Sequence, residues 1–184
     1  MQRLLILILC VLFSSQALSA QSVGLYSSPK GIGASYVFEN HDKYDFLTVY
    51  ADIYGMWRSR ISKPGVKLNY SRCTQIYNKD LSQGGRFYAF VGPGISAGYV
   101  RDNDMSVSSK ERLVRNAGCA IALSGRLSGI LDFKEKRMGV ELSFLLEVGM
   151  HIRRDEILKQ NDLSWYQNGI YQALMPQITL YYKL

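Results

Sequence analysis

The side chains of this chain that could do chemistry are charged residues and one imidazole, set in segments where polar and apolar residues alternate. They are Asp52, Arg86, Arg126, Glu141, Glu147, His151 and Arg153. Because successive side chains of a β-strand point to opposite sides of the sheet, we expect these residues to share one face of their strands. Charges gathered on an enclosed face must pair with one another, so the set predicts a network of ion pairs.

Three functions are open to such a network. Paired acids and bases can fill and close the interior of a small barrel, line a narrow path for water or ions, or supply a catalytic acid and base. The interior of an eight-stranded barrel is only wide enough to be filled by side chains. We therefore expect a closed interior and no enzymatic activity.

The sequence shows no spacing of residues that would hold a metal or a cofactor. Its histidines, His41 and His151, are far apart, and so are Cys73 and Cys119. Zinc sites combine closely spaced histidines and cysteines, and phosphate loops lead from glycines into a helix through a Lys-Ser/Thr ending. We expect neither group. Alternation places Cys119 on an apolar face and Cys73 on a polar one, which makes a disulfide between them awkward.

The element that positions most of these charges is Val140–Arg153, with the sequence VELSFLLEVGMHIR. Seven apolar residues occupy alternate positions in it, a run longer than the usual strand of about five or six residues. The intervening positions include Glu141, Glu147 and His151. A strand of this length with one apolar and one charged face is typical of a membrane-spanning barrel whose apolar face meets lipid.

Similar runs separated by turn residues continue along the chain and predict eight strands. The predicted strands are Gln21–Ser27, Gly31–Asn40, Tyr44–Met56, Val66–Tyr77, Arg86–Arg101, Asn116–Phe133, Val140–Arg153 and a last strand that ends at Leu184. The long connection 154–168 would separate the last two. This succession predicts an all-β fold, a single eight-stranded antiparallel up-and-down transmembrane β-barrel.

Two residues interrupt the regular pattern of these strands. Pro93 lacks a backbone donor, so we expect a bulge or a local break beside it. Strict alternation in the fourth strand sends Arg72 to the same face as Val66, Leu68 and Tyr70. An arginine facing lipid at mid-membrane costs about 2–4 kcal/mol. Either a bulge shifts the register between Tyr70 and Cys73, or this part of the strand lies outside the lipid.

Residues 1–20 have the pattern of a cleaved secretory signal peptide. Arg3 precedes the apolar run Leu4–Phe13, and small residues lead to a cleavage site near Ala20. The run is shorter than the roughly 20 residues that a membrane-spanning helix needs. Residues 21–184 then form one exported domain. Export makes nucleic acid a poor partner, while a net charge of +7 suits anionic lipid or glycan surfaces.

The chain resembles the small outer-membrane β-barrel families of bacteria, particularly those of Bacteroidota. Its end, QITLYYKL, alternates Ile178, Leu180, Tyr182 and the terminal Leu184, and Phe87–Tyr99 alternates aromatic with small residues. The last strand of such barrels carries a signal for the barrel-insertion machinery, more often with a terminal Phe. The resemblance implies a Gram-negative outer-membrane location and that machinery as a partner.

Orientation follows if the last strand ends in the periplasm. The connections after the first, third, fifth and seventh strands then face outward, and outer-membrane barrels have their longer loops on that side. The second of these connections carries an aromatic residue and three cations, which suit lipopolysaccharide phosphates. These residues are Trp57, Arg58, Arg60 and Lys63. We expect a monomer whose partners are outer-membrane lipid and lipopolysaccharide.

Two alternative functions remain open at this stage. Some eight-stranded outer-membrane barrels change the acylation of lipid A with a serine and a histidine near the outer rim. Here His151 would need Ser164 or Ser109 as its nucleophile, because Arg153 occupies the position two residues after it. The other alternative is a soluble exported barrel like the lipocalins, with apolar residues inside and polar ones outside.

Overall fold

The computed structural model describes residues 20–29, 31–40, 43–53, 64–81, 84–100, 118–133, 137–154, 161–167 and 176–184. Within these ranges the regular structure is all β. The strands are β1 (Ala20–Ser28), β2 (Gly31–Asn40), β3 (Lys43–Asp52), β4 (Gly65–Asp80), β5 (Gly85–Val100), β6 (Gly118–Phe133), β7 (Met138–Arg154), β8 (Asn161–Gln167) and β9 (Gln177–Lys183). The predicted signal peptide lies outside the described residues, apart from Ala20.

Antiparallel pairing closes these strands into a barrel with eight positions in its wall. From β1 to β7, each strand pairs with the next one in the chain, and β9 pairs with both β1 and β7. The eighth position is shared, because β8 pairs with Val148–Arg154 of β7 and β9 pairs with Met138–Ser143. The prediction of an all-β, eight-stranded antiparallel barrel is confirmed.

The structure corrects the predicted connection between the last two strands. Residues 154–168 were expected to form one long loop, but Asn161–Gln167 forms β8 and extends the wall. In this segment Leu163 and Trp165 alternate with Asp162 and Ser164, which is a short strand pattern. Its partner is the far end of β7, which at 17 residues reaches beyond β9. The third strand also ends at Asp52 rather than Met56, and 54–63 lies outside the described residues.

The two ends of the barrel differ in the connections that they carry. One end, here the short-turn end, has the connections 41–42, 81–84 and 134–137, together with the start of β1 and the end of β9. The other, the long-connection end, has 29–30, 53–64, 101–117 and 155–160. This asymmetry defines the two mouths of the interior.

The wall turns its apolar face outward. On β7, Leu146 is 52% exposed and Val148 48%, whereas Glu141 is 0% and Glu147 1% exposed. The same sense holds around the barrel, and we call the exposed apolar side chains of its middle section the apolar belt. The belt contains Leu25, Val49, Leu68, Val91, Ile95, Leu123, Leu127, Leu142, Leu146, Val148, Ile178 and Leu180. No helix in the described part of the chain is long and apolar enough to cross a membrane.

Arg72 keeps its place on the outer face. The β3–β4 register runs without a shift through the pairs Asp45–Arg72 and Tyr44–Cys73, so no bulge lies between Tyr70 and Cys73. The shift in the β4–β5 ladder lies between Gln75 and Tyr77. The Arg72 side chain is 52% exposed, and its Nε lies 3.7 Å from Asp45 Oδ1. The first of the two explanations for Arg72 is therefore wrong.

The other irregular position, Pro93, and the two cysteines follow the expectations from the sequence. The β4–β5 ladder is interrupted beside Pro93, between the pairs Ser71–Gly94 and Thr74–Val91, while the β5–β6 ladder passes Pro93 without a shift. Cys73 is buried in the interior and Cys119 is exposed on the outside, and both thiols are free. Alternation thus predicted the direction of both cysteines correctly.

A close approach of backbones in the wall requires glycine at position 33. A Cβ at Gly33 would lie 2.0 Å from the Val49 carbonyl oxygen and 2.5 Å from Tyr50 Cα. We expect Gly33→Ala to lower the free energy of unfolding by about 1–3 kcal/mol, because backbone atoms must move. Urea unfolding of the purified protein measures the loss.

Gly125→Ala is the matched control for this prediction. A Cβ there meets no atom within 4 Å, since Gly125 lies on the open outer face. Alanine also loses less backbone entropy than glycine on folding, so the stability should stay the same or rise slightly. Equal losses in the two variants would contradict the close approach at Gly33.

Candidate functional site

The interior contains three layers of side chains, and the first lies toward the long-connection end. Lys67 of β4 forms a buried ion pair and hydrogen bond with Glu147 of β7, three positions away in the wall. Beside it, Asn69 Nδ2 donates to Ser96 Oγ at 2.8 Å and to Ser124 Oγ at 2.9 Å. These contacts join β4 to β5, β6 and β7, so this layer ties half of the wall together.

The middle layer is centred on the fully buried Glu141. Arg126 Nη2 donates to Glu141 Oε1 at 2.6 Å, and Arg126 Nε donates to the same oxygen at 3.2 Å. The other carboxylate oxygen accepts a hydrogen bond from the Tyr181 hydroxyl, which lies 3.2 Å from Ser35 Oγ. The Arg126 guanidinium also lies over the Phe46 ring, 4.4 Å from its centroid. A continuous chain of contacts therefore crosses the interior.

The third layer, toward the short-turn end, is largely apolar. Buried side chains of five strands pack there, namely Val37, Phe46, Cys73, Phe90 and Tyr181. The Phe46 and Phe90 rings are 5.9 Å apart, and Tyr44 packs on Phe90 at 4.5 Å. The expectation of a polar interior thus holds for two layers and not for this one. The aromatic residues occupy the same alternate positions of their strands as the inward charges, so alternation could have predicted that they point inward.

The structure separates the seven predicted network residues into different places. Arg126 and Glu141 bond to each other, and Glu147 bonds to Lys67 instead. Arg86 lies at the short-turn rim, where its Nε is 2.7 Å from Asp80 Oδ1. Residues that share one face of the sheet therefore do not all contact one another, and each charge pairs with a partner at its own height in the barrel.

The remaining predicted residues lie toward the long-connection end. Asp52 is half-buried at the end of β3, and His151 is 1% exposed inside the barrel. The backbone of Arg153 pairs with Gly118, and its side chain lies outside the described residues. The register places Ser164 opposite His151. The predicted lipopolysaccharide contacts Trp57, Arg58, Arg60 and Lys63, and the alternative nucleophile Ser109, also lie outside the described residues.

Sequence reasoning missed several inward residues that the structure brings into these layers. Lys67 and Asn69 alternate with Val66 and Leu68, and Tyr181 alternates with its apolar neighbours on β9. The inward direction of these side chains could therefore have been predicted from the alternation in the sequence. Their pairing with Glu147 and Glu141 could not, because each partner lies on a strand distant in sequence. No group of potential metal ligands occurs among the described residues.

In the first two layers, ion pairs and amide–hydroxyl hydrogen bonds connect side chains of different strands. Buried charges of this kind hold one another in place, and removal of one partner leaves the other without compensation.

Comparison of the chain with protein-family models, with curated proteins and with solved structures found no match.

Proposed function

We propose that this chain is a β-barrel of the bacterial outer membrane that acts without catalysis. Its closed interior holds the barrel rigid, and its outward connections serve envelope structure or contact with surface components. The observation that carries this proposal is the reversed polarity of the wall, with charged pairs buried inside and large apolar side chains exposed outside.

The apolar belt supports a lipid environment because its members lie on seven strands, β1, β3 to β7 and β9. Leu123 is paired with Val148 on one side and with Ile95 on the other, and Leu25 is paired with Leu180. Soluble monomers rarely expose continuous apolar patches larger than a few hundred Å². A bilayer covers such a surface and leaves the paired backbone groups of a closed barrel satisfied.

The position of Arg72 is compatible with this arrangement. On the outer face of β3 and β4 the pairs Val49–Leu68 and Leu47–Tyr70 are followed, toward the short-turn end, by Asp45–Arg72. On the β5 side the belt reaches further, because Val91 pairs with Thr74, which is nearer the short-turn end than Arg72. In the proposed orientation Arg72 lies in the periplasmic half of the belt with Asp45 beside it, and the cost of an arginine falls from its mid-membrane value toward the boundary.

The proposal assigns the long-connection end to the cell exterior. Connection 53–64 then presents Trp57, Arg58, Arg60 and Lys63 to lipopolysaccharide, and the C-terminal strand β9 presents its alternating pattern to the barrel-insertion machinery. An N-terminal signal peptide directs export. The resemblance to small outer-membrane barrels noted above supports the same location.

The two alternatives find less support in the geometry. A lipocalin-like barrel requires apolar residues inside and polar ones outside, and the described wall has the opposite sense. Lipid A chemistry needs a histidine that lipid can reach, whereas His151 is 1% exposed. The lipid-modifying activity stays a prediction from the sequence, and the non-enzymatic role is the one we propose.

Cell fractionation tests the proposed location. We expect the protein to remain with outer membranes after carbonate washing, to dissolve only in detergent, and to migrate faster on gels before boiling than after it. Each result follows from a closed barrel whose outer surface is covered by lipid. Release by carbonate into the soluble fraction would contradict the proposal.

A further inference from the structure

A cavity of about 70 Å³ lies in the short-turn mouth of the barrel, against the third layer. Its lining contains two carboxylates, Glu39 and Asp132, and one ammonium, that of Lys183. The lining is therefore acidic by one charge. Tyr181, which closes the middle layer, also lines it, so the cavity ends at that layer.

The strand order puts the two carboxylates on opposite sides of this mouth. Glu39 is on β2 and Asp132 is on β6, four positions apart in a wall of eight. The arc between them carries the aromatic rings of Tyr44, Tyr88 and Phe90. Tyr88 stacks on Phe90 at 6.0 Å, and Tyr44 packs against Phe90 at 4.5 Å. Cations are attracted to the faces of such rings.

One carboxylate in the cavity lining, that of Asp132, has an oxygen that accepts no hydrogen bond from the described residues. Asp132 is 4% exposed, and its Oδ2 accepts from the Lys183 ammonium. Its Oδ1 is buried and, among the described residues, has no hydrogen-bond partner. A buried carboxylate oxygen without a donor costs free energy, so an N–H group placed there would be bound favourably. Glu39 differs, because its Oε1 accepts from the Tyr44 hydroxyl at 2.8 Å.

We propose that this cavity binds a small protonated alkylamine, which donates an N–H to Asp132 Oδ1 and rests its alkyl groups on the aromatic arc. Net negative charge attracts the ion, the rings favour an organic cation over a hydrated metal ion, and the volume limits it to a few heavy atoms. Lys183 competes with the ligand for Asp132. This inference goes beyond the proposed function and does not rest on the location of the barrel.

Titration of the detergent-solubilised full chain with methylammonium chloride tests this site, with calorimetry as the readout and sodium chloride at equal ionic strength as the blank. We expect saturable binding that tetramethylammonium, which has no N–H, reproduces only weakly. Asp132→Asn should weaken binding about tenfold, since it removes a charge-assisted hydrogen bond. Lys183→Met should strengthen binding, because it removes the competing cation.

Two further variants complete the test. Tyr88→Leu at the rim should weaken binding several-fold through the loss of one ring face, and it keeps the proposal testable if Asp132→Asn fails to fold. Asp52→Asn makes the same chemical change at the other end of the barrel and should leave binding unchanged. Heat no larger than that of sodium chloride, or changes of the same sign in Asp132→Asn and Lys183→Met, would overturn the proposal.

Discussion

Arg126→Met is expected to lower the free energy of unfolding by about 3–5 kcal/mol, measured by urea titration in detergent micelles. The substitution leaves the Glu141 carboxylate, which is 0% exposed, without its guanidinium partner. It also removes the cation from the face of Phe46. Because the network crosses the barrel, we expect the loss to appear as a lower unfolding midpoint for the whole molecule.

Two comparisons isolate the buried charge as the cause of this loss. The double variant Arg126→Met/Glu141→Gln removes both charges and should recover most of the stability, since no buried charge is then left without a partner. Arg86→Met breaks the Asp80 ion pair at the rim, where water screens both side chains, and should cost far less than Arg126→Met. Equal losses in Arg126→Met and Arg86→Met would contradict a stabilising role for the middle layer.

Leu123→Arg is expected to reduce the stability of the barrel in lipid vesicles by about 2–4 kcal/mol. Leu123 is 72% exposed in the middle of the apolar belt, with Ile95 and Val148 as its paired neighbours. In water an exposed arginine there would cost little, so the loss arises only if the belt faces acyl chains. The folded fraction, read from the heat-dependent gel shift over a urea series, measures it.

Leu81→Arg serves as the control for the belt. It makes the same substitution at a leucine that is 40% exposed in the connection 81–84, directly after β4 and outside the belt. We expect a change within about 0.5 kcal/mol, as for surface substitutions in general. If Leu123→Arg and Leu81→Arg were equally harmless, the outer face of the barrel would be in water and the proposed function would be wrong.

Strand content and parity were readable from the sequence because both are local. Val140–Arg153 repeats its polarity every two residues over its whole length, and that period alone assigns Glu141 and Glu147 to one face. The same rule placed Cys73 inside and Cys119 outside. Where the period is short, the prediction was wrong: the connection 154–168 contains β8, which forms because β7 offers it a long unpaired edge.

The contacts of the interior were not readable, because they join residues far apart in the chain. Lys67 meets Glu147 across the barrel, and Tyr181 of the last strand meets Glu141 of β7. Parity brings such residues to one face and does not choose their partners. The choice depends on the stagger of the strands around the closed wall, which sets the height of each side chain along the barrel axis.

The amino-acid pattern determined that this chain forms strands, how many positions the wall has, and which residues lie together on each face. Closure of the sheet determined the rest: which face looks inward, which charges pair, and where an aromatic layer replaces the polar one. The physical reason is the sequence separation over which each effect acts. Alternation acts between neighbours in the chain, whereas enclosure exists only once β1 and β9 have met, and enclosure turns a row of charges into ion pairs.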